Sequence, residues 1–341
     1  MKKSGYKIAV VGATGLVGRA MIKVLEESTI PFEELFLFAS ERSAEQEIPF
    51  KGKLNKVKNI ETTDFKGIDI ALFSAGKDVS VKYAPSAARN GCIVIDNGSY
   101  WRMHPQVPLV VPEVNPKALL KHKGIIANPN CSTIQLVVAL EPLQKSFGIK
   151  RLVVSTYQSI TGAGQKGLDH LFSEIEGKEP KKRVSSHQVA FNTVFHEITD
   201  ESGFSVEEIK MKNEIRKIMD LPKLPIAVTC VRLPVLGGHG ESVNLKLENT
   251  FDIQQIRNIF RNSPGIILVD EPIKEKYPTT QLSSGRNEVF VGRLRIDDSV
   301  RNGLYLWVVA DNVRKGAATN AVQIAEQIIN DDLFEFTCFD F

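Results

Sequence analysis

Cysteine is scarce in this chain: Cys92, Cys131, Cys230 and Cys338 are its only four in 341 residues, widely spaced and without a CxxC pair. That excludes a disulfide-framed scaffold and a thiolate zinc centre, so no metal is expected and a reducing, cytoplasmic setting is. Long apolar runs are lacking too. No window approaches the roughly 18 uncharged apolar residues of a membrane span, and no membrane partner is expected. The apolar stretch behind the basic start, Ile8 to Val11, is too short for a signal-peptide core. Nor is there much excess charge. Forty-three Lys and Arg against 40 Asp and Glu leave a net +3, too little to argue for nucleic acid. What remains, 43% hydrophobic and 24% charged residues, is globular usage at a length that suits two domains.

The first hundred residues alternate short apolar runs with helical patterns. Tyr6–Val11, Leu35–Ala39, Ile68–Phe73 and Cys92–Ile95 read as strands, while Leu16–Glu27 and Val79–Arg89 carry helical stripes. Such alternation predicts a doubly wound, Rossmann-like parallel sheet, and the near-continuous apolarity of its strands fits a sheet covered on both faces. After about residue 150 the runs lengthen: 151–159, 226–235, 243–249, 289–296 and 304–310 read as strands, with helices expected at His187–Ile198 and Val206–Met219. That texture predicts an α+β domain with a mostly antiparallel sheet. A helical stripe from Ala317 to Ala325 follows the last strand and could return to the first domain. The Asp331–Phe341 tail holds four Phe and Cys338, a pattern without an obvious role.

The first strand runs into Gly12-Ala13-Thr14-Gly15-Leu16-Val17-Gly18 and then into a helix. Gly12 permits a tight turn, Gly15 permits backbone approach to a pyrophosphate, and Gly18 permits close helix–strand packing. The anion would sit on the free N–H groups of the helix start, which makes Gly12, Thr14, Gly15, Leu16 and Val17 the candidate cradle. GxxGxxG is a weak pattern alone; its place between strand and helix strengthens it. After the second strand comes Ser40-Glu41-Arg42-Ser43. Arg42 and Ser43, with Ser40, favour a 2′-phosphate and hence NADP, whereas Glu41 is discordant and should point to solvent.

Asn128-Pro129-Asn130-Cys131-Ser132-Thr133 precedes an apolar-periodic stretch, so Cys131 should open a helix, where the dipole and unpaired N–H groups favour a thiolate nucleophile. Cys92 and Cys230 lie in apolar strands and read as structural.

These residues resemble the bacterial aspartate-semialdehyde dehydrogenases. The resemblance runs over nearly the whole chain, through GATGLVG at 12–18, ASERSA at 39–44, DNGSYWR at 96–102 and NPNCST at 128–133. It continues through STYQSITGAG at 155–164, EEIKMKNE at 207–214, TCVRLPVLGGHGES at 229–242 and ADNVRKGAATNA at 310–321. Gly98, Tyr100-Trp101 and Gly240 depart from the family pattern. The resemblance implies an NADP-binding domain over 1–130, completed by a helix at 314–331, and a catalytic and dimerisation domain over 131–313. It implies a homodimer, or a homotetramer. It also implies the reversible, phosphate-dependent conversion of L-aspartate-4-semialdehyde to 4-aspartyl phosphate through a cysteine thioester, run reductively toward lysine (by way of diaminopimelate), threonine and methionine.

For the residues, the resemblance implies Cys131 as nucleophile and His239 as acid–base, mobile in its glycine-rich loop and titrating near neutrality. Arg232 suits a bidentate carboxylate contact, Glu207 would meet the substrate ammonium, and Gln158 and Asn130 would orient the reacting group. Arg102 and Lys210 would share the phosphate. Thr161 and Gly162 would approach the nicotinamide, with Asn312 near its carboxamide. The other histidines, including His196, show no comparable setting. Two rivals stand beside this reading: an N-acetyl-glutamyl-phosphate reductase-like enzyme, whose NPGCY-type cysteine motif differs from Asn130-Cys131-Ser132, and a catalytically silent NADP-binding homologue.

Overall fold

The computed structural model describes residues 3–338, and the chain divides into two units. One runs to Pro129 and resumes at Ala317; the other spans Asn130–Gly316. In the first unit, β1 (Tyr6–Val11), β2 (Phe32–Ala39), β3 (Glu47–Phe50), β4 (Lys53–Asn59), β5 (Ile70–Phe73), β6 (Ile93–Asp96) and β7 (Ile125–Ala127) form one sheet. Its order is β3-β4-β2-β1-β5-β6-β7, parallel throughout except at the β3–β4 hairpin on its edge. Helices α1 (Leu16–Glu27) and α2 (Lys77–Arg89) supply the crossovers.

The core of this unit is apolar from both sides of the sheet. Ile8, Val10, Ile70, Leu72, Ile93 and Ile95 are fully buried, and α1 inserts Met21 and Leu25 among them. The C-terminal helix Asn320–Asn330 adds Ala321, Ile324, Ala325 and Ile328 to the same cluster. Part of the aromatic tail also has a place: Phe334 stacks on Tyr6 at 5.2 Å between ring centroids, and Phe336 packs against His122. Residues 339–341 lie outside the described residues.

The second unit carries α3 (Cys131–Phe147), β8 (Ile149–Ser159), α4 (Gln165–Ile175), β9 (Val194–Phe195), α5 (Val206–Ile218), β10 (Ile226–Leu233), β11 (His239–Leu247), α6 (Ile253–Arg261), β12 (Ile266–Leu268), α7 (Thr280–Ser283), β13 (Val289–Asp297) and β14 (Gly303–Ala310). Its sheet runs β12-β13-β14-β11-β8-β10-β9. Only the β8–β10 and β12–β13 pairs are parallel, so the sheet is mostly antiparallel as expected.

The helix expected over His187–Ile198 is absent. Phe191 takes a positive φ of 58°, which breaks helical continuation, and Val194 and Phe195 instead pair with Arg232 and Val231 as an edge strand. Its apolar periodicity was a false signal, since Phe191 and Phe195 are largely exposed.

Candidate active site

The dinucleotide turn fits a pyrophosphate. Gly12 has φ +84°, and a β-carbon there would meet the Ser74 carbonyl oxygen at 2.7 Å; a β-carbon on Gly18 would lie 2.1 Å from the Gly12 carbonyl oxygen. Both positions therefore require glycine. Helix α1 starts after Gly15 with no side-chain cap and no acid in its first turn, which leaves the first-turn N–H groups of Leu16 and Val17 to an anion.

Beyond β2, Ser40 precedes the short helical turn Glu41–Ser43. Ser40, Glu41 and Arg42 line a cavity of about 360 Å³ shared with Asp78 and Lys82, and Ser43 is not part of that wall. Glu41 was expected to point to solvent; it is exposed and also lines the cavity. Arg102 belongs to this unit as well. It follows β6, donates to the Asn97 carbonyl at 2.9 Å and lies close enough to Asp96 to offset part of the burial that raises that carboxyl.

The remaining candidates belong to the second unit, and most of them converge at the start of α3. Asn130 caps that helix: its Oδ1 accepts from the Ser132 and Thr133 backbone N–H groups at 3.0 and 3.3 Å. Cys131 is thereby fixed as the first helical residue. Asn130 does more than cap. Its Nδ2 donates to Glu207 Oε1 at 2.7 Å, and its own backbone N–H donates to Glu214 Oε2 at 2.7 Å. Glu207, Lys210 and Glu214 stand three and seven residues apart on α5, one helical face turned to the nucleophile.

His239 Nε2 lies 3.2 Å from Cys131 Sγ, and its Nδ1 accepts the Ser159 backbone N–H at 2.9 Å. In the neutral ring the proton therefore sits on Nε2 and points at the sulfur. The expectation of a mobile, near-neutral imidazole is corrected here. His239 is the first residue of β11 and has no exposed surface; burial, with the Arg232 charge second, pushes its pKa down to about 3. The glycines before it serve the turn: Gly238 at φ +155° passes so close to Ser283 Oγ and the Ala310 carbonyl that a β-carbon would clash. Gly240, one of the departures from the family pattern, has a direct cause. A β-carbon there would lie 2.4 Å from the Trp307 ring.

Gln158, next to last in β8, donates from Nε2 to Ser132 Oγ at 3.0 Å and to Glu207 Oε1 at 3.3 Å. Glu207 is charged despite its burial, which alone would raise its pKa: the Lys210 ammonium at 3.4 Å, the Asn130 amide and the Arg232 charge bring it to about 2. Arg232, on β10, gives one N–H to the Ser159 carbonyl at 3.0 Å and one to His196 Nδ1 at 3.2 Å. His196, dismissed from sequence, thus stands beside the site; it follows the edge strand β9, which no motif announces. Gly162 approaches both groups, since a β-carbon there would be 3.1 Å from Arg232 Nη1 and 3.3 Å from His239 Nε2. Thr161 Oγ1 donates to Asn312 Oδ1 at 2.9 Å, which ties those two candidates together. Cys92 and Cys230 are fully buried, and burial pushes both thiols far up.

The second unit thus offers a nucleophile, a hydrogen-bond donor facing it, and an anionic and a cationic group that suit a zwitterionic substrate, while the first unit by itself offers a dinucleotide cradle. Among the described residues no cluster of ligands suits a metal and no helix is long and apolar enough to cross a membrane.

Comparison with known proteins agrees with that chemistry. Residues 7–122 match the family described as semialdehyde dehydrogenase, NAD binding domain, and 140–315 match semialdehyde dehydrogenase, dimerisation domain. The chain is 52% identical to the aspartate-semialdehyde dehydrogenase of Aquifex aeolicus, over 96% of this chain and 99% of that protein. It is 45% identical to that of Bacillus subtilis, over 95% and 97%. Among solved structures, aspartate semialdehyde dehydrogenase II of Vibrio cholerae complexed with ASA superposes with a TM-score of 0.91 at 44% identity, covering 96% of this chain and 99% of that one. The Candida albicans enzyme with NADP gives 0.76 at 25% identity, covering 97% and 100%.

Proposed function

The chain belongs to the aspartate-semialdehyde dehydrogenases, and from that premise we propose how its residues carry out their reaction. It is an NADP-dependent oxidoreductase of amino-acid biosynthesis, interconverting aspartate semialdehyde and its acyl phosphate, and it pairs as a dimer. Its setting is the cytoplasm, and phosphate is its co-substrate.

One observation carries the residue assignment: Cys131 Sγ lies 3.2 Å from a His239 Nε2 whose proton faces it. In the reductive direction the Cys131 thiolate attacks the acyl carbon of aspartyl phosphate; the carbon–sulfur bond forms, the carbon–oxygen bond to phosphate breaks, and phosphate leaves. NADPH, when bound, supplies the hydride that reduces the thioester. The oxyanion of the resulting thiohemiacetal is hydrogen-bonded by His239 Nε2–H, and its collapse returns the thiolate and releases the aldehyde. Arg232 holds the substrate carboxylate and Glu207 its ammonium, while Gln158 and Asn130 orient the reacting carbonyl. Lys210 and Arg102 receive the phosphate, Gly12 to Val17 the pyrophosphate, Ser40, Arg42 and Ser43 the 2′-phosphate, and Thr161, Gly162 and Asn312 the nicotinamide end.

Glu207 also argues against the N-acetyl-glutamyl rival. Its carboxylate, already offset by Lys210, would give a free substrate ammonium a second anionic contact that an N-acetylated nitrogen could not use, and the relatives are named aspartate-semialdehyde dehydrogenases. The test is NADPH formation from aspartate semialdehyde with and without phosphate. Phosphate-dependent turnover that vanishes in Cys131→Ala while NADP still binds supports the mechanism; turnover in Cys131→Ala sinks it.

A further inference from the structure

Arg232 has its guanidinium held at two corners: Nη1 donates to the Ser159 carbonyl at 3.0 Å and Nη2 to His196 Nδ1 at 3.2 Å. Arginine can only donate, so Nδ1 is an acceptor and the single imidazole proton sits on Nε2. Nε2 is buried and has no hydrogen-bond partner among the described residues. A histidine kept as scaffold is ordinarily tied at both nitrogens, because an unpaired buried donor is costly. This ring forgoes the second tie, and its polar contact is to Arg232.

We infer that His196 is a positioning residue for the substrate carboxylate, acting through Arg232 by fixing the guanidinium in its receiving orientation. The inference rests on the reading of Arg232 as the carboxylate ligand. The backbone supports the arrangement: Val194 and Phe195 pair with Arg232 and Val231, which holds His196 beside the arginine rather than at the end of a free loop.

The chemistry of the choice also makes sense. An aspartate or glutamate in the place of His196 would orient Arg232 equally well but would spend its charge, in competition with the incoming carboxylate. A neutral imidazole supplies a lone pair and leaves the charge available. Burial, with the Arg232 charge second, pushes the His196 pKa down to about 4, so the ring stays neutral beside the guanidinium. Two of the five guanidinium donors are engaged by Ser159 and His196, and the others remain for a planar two-oxygen acceptor.

The experiment compares aspartate semialdehyde, by KM and kcat, with 3-aminopropanal as a competitor, by its inhibition constant; the latter keeps aldehyde and ammonium but lacks the carboxylate. His196→Ala should raise KM for the semialdehyde about tenfold or more, the scale of a charge-assisted hydrogen bond, with little change in kcat. The inhibition constant of 3-aminopropanal should not move. His196→Asn, whose amide oxygen can stand where Nδ1 stands, should recover most of the loss, and His196→Ala should add nothing in an Arg232→Ala background. Equal losses on both aldehydes, or a penalty that persists without Arg232, would overturn the inference. If Arg232→Ala itself left the discrimination intact, the reading of Arg232 would have failed first, and that outcome is visible in the single variant.

Discussion

Gly316 lies against Cys131 so closely that a β-carbon on it would stand 2.9 Å from the cysteine Cβ and 3.2 Å from its Cα. The glycine sits in the wide helical turn Arg314–Thr319, and what it meets is mostly backbone, which cannot swing aside. Gly316→Ala should therefore displace the nucleophile relative to His239. A shift of this kind costs about a hundredfold in turnover. We expect kcat to fall by that order and Cys131 alkylation by iodoacetamide to slow, with NADP affinity kept. Wild-type kcat in Gly316→Ala would mean that the turn yields and the cysteine stays.

His239 yields a prediction about pH. Its folded pKa is about 3, against about 6.5 for an unperturbed imidazole, so below the latter the unfolded chain takes up a proton that the folded one refuses. The stability this neutral histidine contributes is complete above about pH 6.5 and is lost as pH falls toward 3. Nitrogen-detected NMR of the ring should report a neutral Nε2–H tautomer unchanged from pH 8 to pH 5. A titration of that signal near pH 6.5 would contradict the buried geometry. His239→Ala, which removes the donor facing the sulfur, should lower kcat by roughly 10²–10³.

Glu207 works in the same direction for the opposite chemistry. Its carboxyl titrates at about 2 in the fold against 4.5 ordinarily, a difference worth ~3 kcal/mol at most. That contribution is present above about pH 4.5 and disappears as pH falls through 2. Glu207→Gln should be less stable than wild type at pH 7, by thermal melting, with the gap closing toward pH 3. KM for the ammonium-bearing substrate should rise at least about tenfold. A gap that stayed constant with pH would assign Glu207 a packing role instead.

Much of the fold was legible because its strands advertise themselves. Tyr6–Val11 is buried on both faces and flanked by a glycine turn, and α1 carries an unbroken stripe, so both boundaries coincide with the expected ones. The hairpin Glu47–Phe50 and Lys53–Asn59 was not read, since its side chains alternate polar and apolar over too few residues. Helix α6 carries a capping box at Asp252 and Gln255 that could have been found. Cys131 and His239 lie 108 residues apart, and no spacing argument brings such residues to 3.2 Å; family register alone paired them. His196 escaped notice because an edge strand two residues long positions it. Gly316 and Glu214 left faint traces, a glycine amid helix formers and an acid two turns beyond Glu207.

The cavity beyond β2 supplies the last test. Ser40, Glu41 and Arg42 line one cavity, so a cation and an acid compete for whatever charge enters it. A 2′-phosphate placed there would gain from Arg42 and lose to Glu41, while the free ribose hydroxyls of NAD would accept Glu41 as a partner. Arg42→Ala should therefore raise KM for NADP and narrow the preference over NAD. It should leave KM for inorganic phosphate unchanged, since that anion is proposed to use Arg102 and Lys210 instead. Arg102→Ala should show the reverse pattern. Glu41→Ala removes the repulsion and should lower KM for NADP while raising that for NAD, each by a few-fold, as for an exposed charge in water. Because screening weakens exposed interactions, these shifts should shrink as salt rises from 0.05 to about 0.5 M. If Glu41→Ala left the NADP to NAD ratio of kcat/KM untouched at low salt, the acid would lie outside the field of the 2′-position, and Arg42 with Ser40 would set the preference alone.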